Sequence, residues 1–360
     1  MDASHSWTTN GSTGYLRRFD EYKGTVSRLF PALPKAYVDA WSISNTDALI
    51  LAHFLECYPR KVIVLDIGTF VGVSAFHFAS LPEVLRVIGV DPNPTIADEI
   101  NDKFEVLGGG IDPEPLRNLR VQDVAKAALA EFGDEQQKIR LCVGVVGSGR
   151  VGIRQGSPEV PEKVEVPAPE PADDASLLAF VDGLHTREGV RADLEAIFER
   201  NPHAVAILDD CRYAWGPSIQ AGVVDFMERS EQKYHFRLFG DLGPGLATSK
   251  LGVVYPDTDA DETGHSLSEL SDLFSERLDL LRLLRREEEL VDIANELDRE
   301  LKQARAQLAE AEKRNSQLQE RNSHLTAHYS SRRYKLADTF TDSVLQMPGI
   351  QKIVQRKPDQ

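Results

Sequence analysis

The chain has few cysteines, no long apolar run and a shortage of basic residues. Cys57, Cys142 and Cys211 lie far apart without a CxxC pair, which argues against a zinc or disulfide framework and favours a reducing cytoplasm. No apolar run approaches the roughly 18 residues that a membrane span requires, and the first residues predict no signal peptide. The net charge of −16 argues against a nucleic-acid partner, because such proteins need a basic face.

The most informative segment runs from Lys61 to Pro94 and predicts a strand, a glycine loop, a helix and a second strand. The first strand is an apolar, β-branched run, as expected of a parallel strand covered on both faces. Gly68 and Gly72 enclose the loop, and glycine lets a ligand approach the backbone closely. Their spacing is neither the dinucleotide pattern G-x-G-x-x-G nor a P-loop, and any tight strand-to-helix turn also uses glycine.

Asp91 ends the second strand of this segment. Ligands bind open α/β sheets outside the carboxyl ends of the strands. An acidic residue about 20 positions beyond the glycine loop can accept hydrogen bonds from ribose hydroxyls. The segment therefore predicts a cofactor site, whose candidate residues are Asp66, Gly68, Thr69, Gly72 and Asp91.

Two stretches of this segment, DIGTFVGVS and VIGVDPNP, resemble the cofactor-binding half of class I S-adenosylmethionine-dependent methyltransferases. The resemblance extends from about Ser44 to Pro256 and implies S-adenosylmethionine (SAM) as cofactor and a Rossmann-like, seven-stranded sheet. The alternation of strands and helices, with a final antiparallel pair, also predicts a doubly wound α/β sheet. Gly147 and Ser148 depart from the pattern, because many relatives carry an acidic residue near the adenine at this place.

A second group of polar residues follows the fourth and fifth predicted strands. Asp182 ends the fourth strand, His185 follows closely, and Asp209 and Asp210 end the fifth. The carboxyl ends of parallel strands lie at one edge of a sheet, so we expect these residues to converge near Gly68. Carboxylates gathered there repel one another unless a cation neutralises them, and oxygen ligands suit Mg²⁺ or Mn²⁺. Such an ion would bind a substrate hydroxyl, and His185 would take its proton as general base.

The stretches DGLHTREGVRADL and AVAILDD resemble metal-dependent sugar and natural-product O-methyltransferases, including the macrocin O-methyltransferase-like and cephalosporin hydroxylase-like groups. The resemblance implies a hydroxyl acceptor on a glycan, polysaccharide or glycosylated small molecule. It also implies Asp182, Asp209 and Asp210 as metal ligands and His185 as base. A hydroxylase-like enzyme and a non-catalytic coiled-coil scaffold are the alternatives. Taken singly, Asp182 or Asp209 could cap a helix, and His185 could be an ordinary loop histidine.

The globular part divides into two predicted regions. Residues 1–43 form a leader whose aromatic residues either pack against the sheet or fold over an active site or a partner. Residues 44–258 form the methyltransferase domain. An irregular stretch rich in Pro, Gly and Glu predicts an insertion near 147–174.

The remaining residues predict a helical arm. Residues 264–329 are charged, lack an interrupting proline and predict one long helix, with apolar residues at heptad spacing from Leu297 to Tyr329. Before Leu290 the spacing is poorer, and a helix that packs back on the domain is the alternative there. Asn315 and Asn322 occupy a positions, which favours a parallel homo-oligomeric coiled coil. Residues 330–360 predict a basic amphipathic tail that binds a protein partner or an anionic membrane surface at the inner face, or folds on its own dimer.

Overall fold

The structure is a computed structural model, and it describes residues 9–33, 35–97, 114–147, 164, 175–212, 215–276 and 278–345. The predicted insertion lies outside these residues except at positions 147 and 164, and so does the end of the predicted tail, 346–360. The chain forms two compact units, Met1–Leu290 and Val291–Gln360.

A mixed sheet forms the centre of the first unit. Its strands are β1 (Lys61–Ile67), β2 (Val84–Asp91), β3 (Ile139–Val143), β4 (Ala175–Val181), β5 (Val205–Leu208), β6 (Tyr234–Leu238) and β7 (Gly252–Pro256). The order of this seven-stranded sheet is β3-β2-β1-β4-β5-β7-β6. Strands β1 to β5 run parallel, whereas β7 is antiparallel to both neighbours. The strand order reverses between β1 and β4, so the predicted Rossmann-like methyltransferase sheet is confirmed.

The central position of β1 explains its composition. It pairs with β2 on one side and β4 on the other, and every residue after Lys61 is buried. Successive side chains of a strand point to opposite faces of the sheet. Val62 and Val64 accordingly join one hydrophobic core, while Ile63 and Leu65 join the other. Both faces need apolar residues, which produces the unbroken apolar run in the sequence.

Helices cover both faces of the sheet. They are α1 (Thr9–Leu29), α2 (Lys35–Ala40), α3 (Asn45–Cys57), α4 (Val73–Ala79), α5 (Val121–Leu129), α6 (Gly133–Lys138), α7 (Arg187–Arg200), α8 (Gly216–Arg229) and α9 (Ala260–Glu276). Residues of α1, α3, α4, α5 and α9 join the core that contains Val62. Residues of α7 and α8 join the core that contains Ile63.

The predicted leader contributes to the first of these cores. Phe19, Tyr22 and Val26 of α1 are buried, and the Tyr22 ring stacks on Phe76 with centroids 4.5 Å apart. The Tyr22 hydroxyl donates a hydrogen bond to the Val71 carbonyl at 2.9 Å. The helix therefore packs against α4 and also contacts the glycine loop.

The segment predicted as one helix over 264–329 is helical on both sides of position 277, which lies outside the described residues. Helix α9 buries Leu267, Leu270 and Phe274 in the first unit, and the next helix, α10, spans Leu278–Leu345. Helix α9 thus uses its apolar face for the globular core, the alternative that the poorer heptad spacing before Leu290 left open.

The second unit is helical along its described part, which ends with α10. Leu308, Leu318 and Leu325 of the predicted seam are 60%, 62% and 47% exposed in the single chain. The coiled coil and the homo-oligomer stay predictions. Among the described residues, no helix combines the length and apolar character that crossing a membrane would require.

Candidate functional site

The loop after β1 turns tightly around two glycines. Gly68 and Gly72 have φ values of +88° and +84°, a region that glycine adopts without the steric cost of a side chain. A Cβ on Gly68 would lie 2.0 Å from the Asp182 carbonyl oxygen, and one on Gly72 would lie 2.6 Å from the Tyr22 hydroxyl. The loop therefore packs against the end of β4 on one side and against α1 on the other.

Asp91, at the end of β2, fastens this loop. Its Oδ2 accepts a hydrogen bond from the Phe70 N–H at 3.1 Å, and its Oδ1 accepts one from the Asn93 N–H at 2.6 Å. Phe70 has a φ of +48°, which is costly for a residue other than glycine, and Asn93 has a φ of +60°, a region that asparagine adopts readily. The Asp91 carboxylate thus holds two turns with positive φ in place. Asp91, the predicted ribose contact, is therefore bonded directly to the glycine loop.

Asp66 and Thr69 lie buried beneath the same loop. The Ser74 hydroxyl donates to Asp66 Oδ2 at 2.8 Å, while Asp66 Oδ1 has no hydrogen-bond partner among the described residues. Burial, reinforced by the Asp182 charge, raises the pKa of Asp66 to about 7, although the Ser74 hydrogen bond opposes the shift. Thr69 packs over Gly89, where a Cβ would lie 2.6 Å from the threonine hydroxyl.

Asp182 and His185 form a pair just after β4. Asp182 Oδ1 lies 3.2 Å from His185 Nε2, and His185 Nδ1 lies 3.7 Å from Asp210 Oδ2. The imidazole therefore stands between a carboxylate that follows β4 and one that follows β5. The Asp182 N–H donates to the Ile67 carbonyl at 2.9 Å, which ties this point to the end of β1. The polar residues predicted at the two strand ends do lie together.

Lys250 is a member of this group that the sequence interpretation missed. Its Nζ lies 2.7 Å from Asp210 Oδ1 and 3.5 Å from Asp209 Oδ1. Burial by itself would lower the pKa of Lys250, but the charges of Asp209 and Asp210 outweigh burial and raise that pKa, so the side chain stays an ammonium. Lys250 lies just before β7, and the antiparallel pairing of β7 with β5 brings it to the carboxyl end of β5. Only that pairing could have identified it.

Asp209 and Asp47 form the buried side of the group, each 3% exposed. Burial, followed by the charge of Asp182, raises the pKa of Asp209 well above its ordinary value. Burial likewise raises the pKa of Asp47, which accepts a hydrogen bond from the Ser249 hydroxyl at 2.8 Å. Lys250 therefore lies among several carboxyl groups and is the positive charge that balances them.

The described side chains do not fit a divalent metal in this arrangement. Among the described residues, no group of three or more His, Cys, Asp or Glu side chains is placed to hold one. One oxygen of each predicted ligand already has another partner: Asp182 has His185, Asp210 has Lys250, and Asp209 Oδ1 accepts the Asp210 N–H at 2.7 Å. Binding of Mg²⁺ or Mn²⁺ by these aspartates stays a prediction.

Comparison with known proteins finds similar solved structures at low identity. An O-methyltransferase from Streptomyces achromogenes involved in tomaymycin synthesis, in complex with SAM, is 17% identical over 67% of this chain and 89% of that one, with a TM-score of 0.34. A TDP-rhamnose 3′-O-methyltransferase of calicheamicin biosynthesis is 16% identical over 70% and 96%, with a TM-score of 0.33. An O-methyltransferase from Bacillus cereus in complex with SAH is 13% identical over 68% and 90%, with a TM-score of 0.34. No family model and no curated protein matches the chain. At these TM-scores the likenesses carry no functional argument, and the fold assignment depends on the strand order itself.

Proposed function

We propose that this protein is a SAM-dependent O-methyltransferase. The observation that carries the proposal is the contact between the glycine loop and the Asp182–His185 pair. No atom of a side chain fits between Gly68 and the Asp182 carbonyl. A ligand in the loop and a base on the pair would therefore be neighbours. When bound, SAM supplies a methyl group on a cationic sulfur, which a hydroxyl oxygen attacks once its proton has an acceptor.

In this proposal the loop residues bind the cofactor through its charged and polar ends. Asp91 accepts hydrogen bonds from the ribose hydroxyls, in addition to those from Phe70 and Asn93. Asp66 lies buried beneath the loop and supports it from below, where it accepts a hydrogen bond from the Ser74 hydroxyl at 2.8 Å. Gly68, Thr69 and Gly72 let the backbone approach the ligand.

His185 is the proposed general base. If its Nε2–H donates to Asp182, its Nδ1 carries the lone pair that takes the proton of the acceptor hydroxyl. The imidazolium formed in this step then lies between the Asp182 and Asp210 carboxylates. Two flanking negative charges stabilise the protonated imidazole, in the way that a buried aspartate supports the histidine of a hydrolase triad.

The acceptor is proposed to be a sugar hydroxyl of a glycan or glycosylated small molecule. Trp215 supports this choice, because the residue is 52% exposed and its ring centroid lies 5.9 Å from that of His185. An exposed indole presents a flat apolar face with a polar edge, which suits the apolar face of a sugar ring whose hydroxyls point outward. The sequence resemblance to sugar O-methyltransferases agrees with this assignment.

Calorimetry with SAM, followed by transfer of a labelled methyl group to a panel of sugar nucleotides, glycosides and simple phenols, tests the proposal. We expect SAM to bind, and a sugar to accept the label. His185→Ala should lower the rate by on the order of 10²- to 10⁴-fold with unchanged SAM affinity, because it removes only the base. His203→Ala is the matched control: this exposed histidine pairs with Asp259 at 3.2 Å, before β5 and so at the opposite edge of the sheet.

Each alternative predicts a different result in these assays. A non-catalytic scaffold would show no SAM binding by calorimetry. A hydroxylase-like enzyme would leave the panel unmethylated. If His185→Ala retained the wild-type rate, the proposed base would be wrong even if SAM is the cofactor. If Trp215→Ala left KM for the sugar unchanged, the sugar-stacking assignment would be wrong.

A further inference from the structure

The carboxylates that follow β5 already have a cation within the chain. Lys250 Nζ lies within hydrogen-bond distance of Asp210 Oδ1, at 2.7 Å, and 3.5 Å from Asp209 Oδ1. Its side chain is 25% exposed, so the ammonium is largely withdrawn from water and depends on these carboxylates for its interactions.

The backbone keeps Lys250 in this place. The Cys211 N–H donates to the Lys250 carbonyl at 2.8 Å, which extends the pairing of β7 with β5 to the residues that follow Asp210. Ser249, its neighbour, donates its hydroxyl to Asp47 at 2.8 Å. Both contacts fix the backbone on either side of the Lys250 side chain, so its position is part of the sheet rather than that of a mobile surface lysine.

Asp210 is held by the same interactions. It has a φ of +53°, which is uncommon for a residue other than glycine, and its N–H donates to Asp209 Oδ1 at 2.7 Å. The Lys250 ammonium then attaches to Asp210 Oδ1, while Asp210 Oδ2 faces His185 Nδ1 at 3.7 Å. Lys250 thereby orients the carboxylate that flanks the imidazole.

We propose that the Lys250 ammonium takes the place of the divalent cation at Asp209 and Asp210, so that methyl transfer by this protein needs no metal ion. The inference rests on the proposed methyltransferase function. Lys250 acts as a positioning residue: it neutralises the aspartates and directs Asp210 toward His185. The proton of the acceptor hydroxyl passes to His185 with no Lewis acid on the oxygen, and the methyl group passes from the cationic sulfur to that oxygen.

Binding of Mn²⁺ to the full chain, measured by electron paramagnetic resonance, tests this inference without relying on turnover. Wild-type protein should leave Mn²⁺ free at millimolar concentration. Lys250→Met removes the charge and leaves the aspartates unneutralised, so it should bind Mn²⁺ at least tenfold more tightly than wild type. Lys250→Arg keeps a positive charge and should behave as wild type. Lys233→Met is the matched control, because Lys233 is exposed and precedes β6 at the opposite edge of the sheet.

The site of any bound Mn²⁺ is identified by adding Asp210→Asn to Lys250→Met, which should remove the binding again. Turnover of wild type should change less than twofold in excess EDTA. Mn²⁺ binding by wild type that Asp210→Asn abolishes, or activity lost in EDTA and restored by Mn²⁺, would overturn the inference. A folded Lys250→Met that binds no Mn²⁺ would also overturn it. If Lys250→Met does not fold, the inference is judged by Mn²⁺ binding and EDTA sensitivity of the wild-type protein. If SAM does not bind at all, the methyltransferase proposal fails, while the Mn²⁺ measurements still judge Lys250.

Discussion

Replacement of Asp91 separates the role of this residue in binding from its role in the loop. Asp91→Ala removes the acceptor of the Phe70 N–H at 3.1 Å and of the Asn93 N–H at 2.6 Å. It also removes the proposed acceptor for the ribose hydroxyls. Asp91→Asn keeps one carbonyl oxygen and the shape of the side chain but loses the charge, so we expect its effect to lie between wild type and Asp91→Ala.

The magnitude follows from the hydrogen bonds that are lost. A hydrogen bond to a charged group contributes about 1.5–3 kcal/mol, so loss of the ribose contact alone should weaken SAM binding by roughly 10- to 150-fold. The loop adds to this effect. Phe70 keeps its positive φ with help from Asp91, and such a residue in that region costs about 1–2 kcal/mol. We therefore expect Asp91→Ala to reduce the free energy of unfolding as well as affinity.

Calorimetry with SAM measures the change in affinity. Urea unfolding, monitored by circular dichroism, measures the change in the free energy of unfolding on the same samples. Asp272→Ala is a suitable control because it removes an exposed acid from α9. It should change neither quantity by more than about 0.5 kcal/mol. A folded Asp91→Ala protein that binds SAM with wild-type affinity would refute the assignment of Asp91 to the cofactor. Loss of affinity with unchanged stability would show that the loop does not need Asp91.

Three further predictions concern Asp66, α1 and α10. Because the pKa of Asp66 is raised to about 7, only the unfolded chain loses this proton between about pH 4 and 7. The free energy of unfolding should therefore fall as pH rises through that window, by roughly 4 kcal/mol at most. Asp66→Asn should remove most of this fall, which urea unfolding from pH 4 to 8 would measure. Tyr22→Phe should cost about 1 kcal/mol and weaken SAM binding, because it removes the hydrogen bond to Val71; equal calorimetric and unfolding values for both proteins would contradict this. A chain ending at Leu290 retains α9 and should have fewer subunits than the full chain by light scattering, whereas an unchanged subunit number would exclude α10 as the means of self-association.

The strands and the glycine loop were accessible from the sequence because their causes are local. A strand buried on both faces must be apolar throughout, as β1 is, and a turn with φ near +88° favours glycine, as at Gly68. The convergence of Asp182, Asp209 and Asp210 was also accessible, because the direction of parallel strands places their ends at one edge.

The contacts that were missed join residues far apart in the chain. Lys250 and Asp210 are 40 positions apart, and they meet only because β7 returns antiparallel to β5. Tyr22 and Val71 are 49 positions apart, and nothing in the aromatic spacing of α1 indicates which backbone group the hydroxyl reaches. The packing of α9 on the domain was left open by the sequence for a different reason, since the spacing of its apolar residues does not distinguish burial in a globular core from a coiled-coil seam. Sequence patterns therefore do not predict which side chains become partners through the pairing of distant strands.

The absence of space between Gly68 and the Asp182 carbonyl has a consequence for how this protein can change over time. A substitution at Gly68 forces the end of β4 to move, and a shift of the Asp182 backbone moves the loop, since a Cβ at Gly68 would lie only 2.0 Å from that oxygen. Changes at the two positions should then be non-additive, with each altering the effect of the other. If the proposed function holds, a change of acceptor at the Asp182–His185 end requires compensating changes in the glycine loop, so the two halves of the site would evolve as one unit.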